Sequence, residues 1–578
     1  MSRHLAGRRA GAALLTLVAA MLVSTGCASI PSSSRPQVIA ESVPAASPTV
    51  DDDPRYDEIV PRQGETPEDI VRDFLRASGS FDRNHARARA YLTSVANAGW
   101  KDGSGASILE DAPYLDTRNG GAVLMTAQQQ GRLDDAGSYV PGTAPYPYSF
   151  RLKKVNGNWR IDNPPPGLLI ESATFDVAYR PYEIYFLDST RTHVVPDVRW
   201  YAAAQDTLPS LLVTAIERGP SQWLQSAVLS DLAGIVLKNN IEQESDRVKV
   251  YLTGLDDQAD TLTAGGFAQL VWTLDQVGVG GVEVYSDGRL LAPRNAPGRT
   301  MQQLSDWRSF NPDGLSAAAI GYYIRGGAVW TTADKPISGA AGRSTFDALS
   351  VGVSVDQRSL AIVRKTSGGE VLYVGDAGSL HPTTVIGKSL TRPTWGPGTR
   401  EVWTVKDGRD VLLVPLSGGA ARVDVTRLDQ IGNIRTLALS RDGSRVAIVG
   451  GAKGKERLWI GVVIRGGGQT RIDLARQMNV GDDPVIDASW SDSLSVVALT
   501  HTSGQDSSLY SVDVSGATDP RLIPTTGLPG PPDAIAAGPS LPLLTIAADG
   551  LWRTPTTDDA WTRAVEKRTG ESAPAYPG

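Results

Sequence analysis

Six times in its C-terminal half this chain makes a similar turn, and few folds accommodate that. The turns open at Phe310-Asn311-Pro312-Asp313-Gly314, Val353-Ser354-Val355-Asp356, Trp395-Gly396-Pro397-Gly398, Leu439-Ser440-Arg441-Asp442-Gly443, Trp490-Ser491-Asp492 and Ala537-Gly538-Pro539. Their first residues lie 43, 42, 44, 51 and 47 positions apart, the length of a propeller blade, about 40–50 residues. Eight positions beyond each anchor the chain enters a β-like run, at Ala318, Ala361, Trp403, Ala447, Ala498 and Thr545. A second run follows at Ala328–Trp330, Leu372–Val374, Val411–Val414, Leu458–Gly461, Leu509–Val512 and Leu551–Arg553. One such unit cannot bury its apolar face alone, so the repeat predicts an all-β propeller over residues 301–578 with six visible blades. A seventh blade would have to come from diverged or N-terminal strands, and a double β-sandwich is the competing arrangement.

Composition points the same way. The 60 glycines, 37 prolines and 13 tryptophans, against 5 methionines, favour short strands and tight turns over a helical bundle. At 578 residues the chain exceeds one core, and about 100–200 residues per domain implies three or four. Its formal charge is −7, from 56 basic and 63 acidic residues, so there is no general basic field and nucleic acid is not expected as a partner. The single cysteine excludes an internal disulfide and any multi-thiolate metal site.

That cysteine stands at a telling place. Arg3, Arg8 and Arg9 precede an apolar run from Gly11 to Val23, an export-signal pattern. The run is short for a permanent membrane helix, which takes about 20 apolar residues. Ser24-Thr25-Gly26-Cys27 then resembles a bacterial lipobox, with Ser24 where leucine is usual. The resemblance implies a signal peptide over residues 1–26, with Cys27 as the first mature residue, carrying S-diacylglycerol and an N-acyl chain such as palmitate. The alternative is an ordinary secretory signal cut near Ala28. Residues 27–54 are polar and Ser/Pro-rich, a flexible tether. Its Asp51-Asp52-Asp53 run reads as solvated linker, since no glycine-turned loop or distal glutamate follows to hold a metal.

Between tether and propeller two α+β modules are expected. In residues 55–175, Pro67-Glu68-Asp69 starts a helix with Ile70, Val71, Phe74 and Leu75 on one face. A second short helix carries Ala86, Ala90, Tyr91 and Leu92. Strands follow at Ala122–Thr126, Tyr148–Val155 and Trp159–Ile161, the last two joined by the hairpin dipeptide Asn156-Gly157. Asn163-Pro164-Pro165-Pro166-Gly167 is expected to end that sheet, because prolines supply no ladder donor. Helices followed by a curled sheet resemble the small cone-shaped nuclear-transport-factor-like domains. Residues 176–300 alternate strand and helix. Their Ile184-Tyr185-Phe186-Leu187, Ile216-Glu217-Arg218-Gly219-Pro220-Ser221, Val248-Lys249-Val250, Gln269–Leu274 and Val282–Gly288 resemble, in order, the GerMN domain of spore-germination and sporulation proteins.

Chemistry is sparse. His4, His85, His193, His381 and His501 form no i, i+4 pair for a zinc site, and no phosphate-binding loop, dinucleotide fingerprint or nucleophile elbow occurs. A triad assembled in space leaves no such trace, so His193 and His501 stay formally open. Asp313, Asp356, Asp442 and Asp492 are read as turn caps. Trp395, Trp403, Trp459, Trp490, Trp552 and Trp561 are read as packing between blades rather than a carbohydrate platform. No catalytic, cofactor-binding or metal residue is expected, and no enzyme activity.

Lipobox, α+β module, GerMN-like module and propeller together are similar, over nearly the whole chain, to the actinobacterial LpqB lipoprotein family. That resemblance implies a lipid-anchored protein outside the cytoplasmic membrane, touching the bilayer through its lipid anchor alone. It further implies a non-enzymatic accessory to a sensor histidine kinase of the MtrA/MtrB type, which contacts the kinase's extracytoplasmic domain and influences envelope homeostasis and division. A cell-wall glycan or peptidoglycan binder is the alternative, and a hydrolase built on the propeller is a third class.

Overall fold

Thr66 opens the first helix for a local reason: its hydroxyl accepts from the Asp69 backbone and the Asp69 carboxylate answers to the Thr66 backbone, with Pro67 pre-set at the first helical position. The computed structural model describes residues 60–578, apart from 81–82, 119, 203–206, 256–259, 418, 503–506, 549, 555–559 and 567–569. Helix α1 (Pro67–Ser78) buries Ile70, Val71, Phe74 and Leu75, as its apolar spacing predicts. The second helix, α2 (Ala86–Ala90), is shorter than expected, and Tyr91 and Leu92 follow it as buried coil. α3 (Ser94–Gly99) completes the helical layer.

The helices lie on a six-stranded sheet built from β1 (Ala106–Leu109), β2 (Tyr114–Arg118), β3 (Ala122–Leu133), β4 (Tyr139–Val155), β5 (Asn158–Ile161) and β6 (Leu168–Glu171). Asn156 and Gly157 turn β4 into β5 with φ of 51° and 82°, both in the left-handed region the tight hairpin demands. The proline run stops the hairpin, but it does not end the sheet. Gly167, at φ 75°, reverses the chain, and β6 returns parallel to β1 at the far edge. The Trp100 indole N–H donates to the Pro165 carbonyl at 2.8 Å and pins that crossing. Helix α4 (Ser172–Ala178) then covers the sheet with Phe175 and Ala178.

The next elements are the hairpin β7 (Tyr179–Leu187) and β8 (Val194–Ala202), helix α5 (Leu208–Arg218), the short strands β9 (Val236–Leu237) and β10 (Glu242–Gln243), β11 (Val248–Thr253), helix α6 (Ala264–Asp275) and β12 (Val282–Ser286). β11 and β12 pair in parallel across α6, as a crossover helix permits. Buried Gln269 on α6 staples the hairpin, donating to the Tyr185 carbonyl at 3.1 Å while accepting from the Asp231 backbone at 2.8 Å.

The propeller has six sheets among the described residues. Their innermost strands, 571–575, 348–353, 394–395, 433–439, 485–490 and 532–536, touch in that order and return to the first, closing a ring. All six second runs anticipated in the sequence are strands. The first anchor is not: Phe310 ends a short helix, Leu304–Phe310, whose Trp307 stacks on Phe267 at 5.7 Å, and Ala318 lies in a loop. The first blade instead takes its inner strand from Glu571–Ala575, paired antiparallel to Tyr322–Arg325. Trp395, Trp403, Trp490 and Trp561 are buried in the clusters between blades. No helix among the described residues is long and apolar enough to cross a membrane.

Candidate functional site

The three parts meet at a buried knot of charge. Arg445, fully buried on the fourth blade, donates to the Pro196 carbonyl of β8 and to the Ser493 carbonyl at 3.4 Å, pairs with Asp442 at 3.6 Å and stacks over Trp223 at 5.6 Å. Arg476 covers the Trp223 ring at 4.3 Å and donates to the Val514 and Ser515 carbonyls. Asp197 on β8 accepts from the backbone and hydroxyl of Ser221 at 2.7 and 2.8 Å and pairs with buried Arg199 at 2.9 Å. The first sheet joins here too, with the Trp200 backbone donating to the Gly137 carbonyl at 2.8 Å and Arg218 donating to that of Asp135 at 3.0 Å. Buried, multiply bonded charge resists sliding, so the modules present one fixed surface.

The propeller channel is filled. Arg392 spans it to the Ile535 and Pro574 carbonyls at 3.0 and 3.1 Å and to Asp487 at 3.3 Å. Arg441 reaches the Pro577, Trp490 and Ala537 carbonyls at 3.2, 3.4 and 3.3 Å. A Cβ on Gly538 would fall 3.4 Å from both Arg441 and Leu315, so glycine makes room for this crossing. Only about 50 Å³ stays open. The loop after Phe310 lies over this mouth, where the buried Oδ1 of Asp313 has no hydrogen-bond partner among the described residues. Burial, reinforced by Asp492 and only partly offset by Arg441, pushes the Asp313 carboxyl from 3.8 up to about 7.

A pH dependence follows. Because the folded value lies above the unfolded one, the folded state holds a proton that the unfolded chain has released. The stabilisation is complete below the unfolded value and is lost as pH rises through about 7. Between about pH 5.5 and 8 this amounts to about 2 kcal/mol. Asp313→Asn should flatten that part of the profile of urea midpoints against pH; an unchanged slope would show that Asp313 does not carry it.

The open feature is a cleft of about 1270 Å³ between the first sheet and blades four and five. Tyr139, Phe175, Tyr179 and Trp200 form one wall, with Phe175 5.3 Å from Tyr179, 4.9 Å from Trp200 and 6.0 Å from Tyr139. Residues 475–479 and 516–520 of the propeller form the other. Ala517 packs on the first module's core, which sets the cleft's width at its base.

Of the residues singled out in the sequence, Cys27 and His4 lie outside the described residues. His193, His381 and His501 each hydrogen-bond a neighbouring hydroxyl, of Thr192, Ser379 and Ser507, at 3.0, 2.8 and 3.1 Å. Asp356, Asp442 and Asp492 cap their turns, accepting from backbone N–H groups two residues on; Asp313 does not. Among the described residues no group of three or more potential metal ligands converges.

Comparison with known proteins decides the family. Residues 60–176 match the model of the lipoprotein LpqB N-terminal domain, and residues 328–577 that of the lipoprotein LpqB beta-propeller domain. The chain is 31% identical to lipoprotein LpqB of Rhodococcus jostii over 97% of each protein, and 31% identical to that of Mycobacterium bovis BCG over 90% of this chain and 91% of the other. The chain belongs to the LpqB lipoprotein family. Among solved structures, a putative TolB from Agrobacterium tumefaciens is similar over 36% of this chain and 78% of its own (15% identity, TM-score 0.29). The tandem GerMN domains of Bacillus subtilis GerM are similar over 21% and 43% (18% identity, TM-score 0.18).

In this LpqB-family chain the junction residues Arg445, Arg476, Trp223 and Asp197 went unmarked in the sequence. A faint signal existed in Arg445, an arginine on an otherwise apolar strand, Val446–Val449. Asp176 and Asp519, which face the cleft from two modules, had no signal at all.

Proposed function

We propose that this protein is anchored through lipidated Cys27 on the extracytoplasmic side of the cell membrane. There it acts as a non-enzymatic accessory to a two-component sensor kinase of the MtrA/MtrB type and thereby influences envelope homeostasis and division. The observation that carries the reading is the pairing of a plugged propeller with a rigid three-part body that holds a large preformed cleft, a geometry suited to holding a partner rather than turning over a substrate. The family's lipoprotein name and the lipobox-like Ser24-Thr25-Gly26-Cys27 support the anchor. Influence on the kinase would arise by binding one of its states more tightly than another. The test is crosslinking and pull-down from native membranes with the intact protein and Cys27→Ala, read by mass spectrometry. Enrichment of a sensor kinase that falls with Cys27→Ala is expected; equal membrane retention of both forms would remove lipidation as the anchor.

A second reading has its own observation. On the sheet of the second module Tyr251 and Tyr285 stack at 5.0 Å, and their hydroxyls donate to Glu242 and Glu283 at 3.2 and 3.0 Å. Paired rings with flanking carboxylates suit a sugar face, so saturable binding of purified wall fragments, without recovery of a kinase, would move the function to cell-wall glycan binding.

A further inference from the structure

The cleft carries a charge pattern as well as an aromatic wall. Asp176, on α4 of the first module, and Asp519, on the fifth blade, line it from opposite sides. Neither side chain has a hydrogen bond or ion pair among the described residues; only the Asp176 backbone carbonyl accepts one. Asp176 senses the other across the gap: partial burial raises its carboxyl first, then Asp111 and Asp519 raise it further. The two arginines in the lining do not neutralise them. Arg180 donates to the Asp176 and Tyr179 carbonyls at 3.2 and 2.9 Å, and Arg476 is held by Val514, Ser515 and Trp223.

Two uncompensated carboxylates beside stacked rings complement a cation. A divalent metal would want six or more oxygens, and no group of three potential ligands converges among the described residues. An organic cation is satisfied by less: two carboxylates for its N–H groups. At about 1270 Å³ the cleft exceeds the range of about 300–1,000 Å³ usual for a small-molecule pocket and has room for several residues of extended chain. In the aromatic wall, Trp200 is 6% exposed and its indole N–H finds no acceptor among the described residues; a backbone carbonyl of an occupant is the group it lacks.

We propose that this cleft seats an extended polypeptide segment of a partner, with an arginine or lysine side chain held between Asp176 and Asp519. This rests on the binding-protein reading above and specifies where, and by what chemistry, the partner is gripped.

The test uses the full-length protein in detergent and a fluorescent peptide, Gly-Ser-Leu-Arg-Leu-Ser-Gly, beside the same peptide with Glu in place of Arg. Asp176→Asn and Asp519→Asn should each weaken the Arg peptide about tenfold, and Asp519→Arg should abolish its binding. Asp429→Asn, an exposed carboxylate outside the cleft lining, should leave it unchanged. Both aspartates are exposed and unpaired, so the variants should keep the parent melting temperature. Equal binding of the Arg and Glu peptides, or indifference to all three aspartate variants, would overturn the proposal. The two readings separate in the membrane pull-down. A kinase recovered equally by the parent and Asp519→Arg sinks the cleft and spares the accessory role, whereas peptide binding with no kinase recovered does the reverse.

Discussion

Deleting residues 571–578 is expected to abolish the cooperative thermal transition of the propeller. Glu571–Ala575 is the inner strand of the first blade although it comes from the far end of the ring, so it fastens last blade to first. Its removal unpairs Tyr322–Arg325 on one side and exposes the inner strand 348–353 on the other, where the Gly578 N–H donates to the Val353 carbonyl at 2.8 Å. It also strands Arg325, which is 8% exposed and pairs with Glu571 at 3.0 Å and Asp334 at 2.7 Å beneath Trp330. Leaving one member of a buried pair alone costs about 3–5 kcal/mol. Each lost ladder bond adds about 1 kcal/mol. Against a domain stability of about 5–15 kcal/mol that is disabling. Calorimetry of the deletion should show no propeller peak, and limited proteolysis should cut throughout residues 320–570. A peak at the parent temperature would mean that the ring is held closed by other contacts.

The second large effect is expected at Arg445→Ala. The guanidinium ties blade four to β8 through Pro196, to blade five through Ser493 and to Trp223 by stacking, and alanine leaves Asp442 buried without its pair. The loss should be about 3–5 kcal/mol. It should appear in calorimetry as one transition splitting in two, because the contact lies between modules rather than within one. Arg445→Lys should not rescue it, since an ammonium cannot stack flat on an indole while reaching several acceptors. A single transition displaced by less than about 1 kcal/mol would show that the modules are coupled elsewhere.

What was legible in the chain was local. The helix opened by Thr66 and Pro67, the Asn156-Gly157 hairpin and the second strand of every blade follow from groups within a few residues of one another, and the structure contains them all. Long-range pairings were another matter. The Pro164–Pro166 run does break a hairpin, yet nothing in Leu168–Glu171 announces that it will lie parallel to Ala106–Leu109. The closing strand carries Pro574, and Ala573 at φ 46°, which reads as turn rather than strand. It is tolerated because an innermost strand pairs on one side only, so the proline's missing N–H costs no ladder bond there. Without that strand in view, the six-fold spacing placed a first repeat at Phe310, which belongs to the second module's core.

The sequence by itself determined the repeat, the turns, the apolar strands and the lipobox-like cysteine, because each depends on residue types at short spacing. Tertiary structure alone decided how the ring closes, that arginines fill its channel, and that Asp176 and Asp519 share one cleft. Such contacts form when folding offsets loop entropy with burial, and burial depends on which surfaces meet in space rather than on how far apart they lie along the chain.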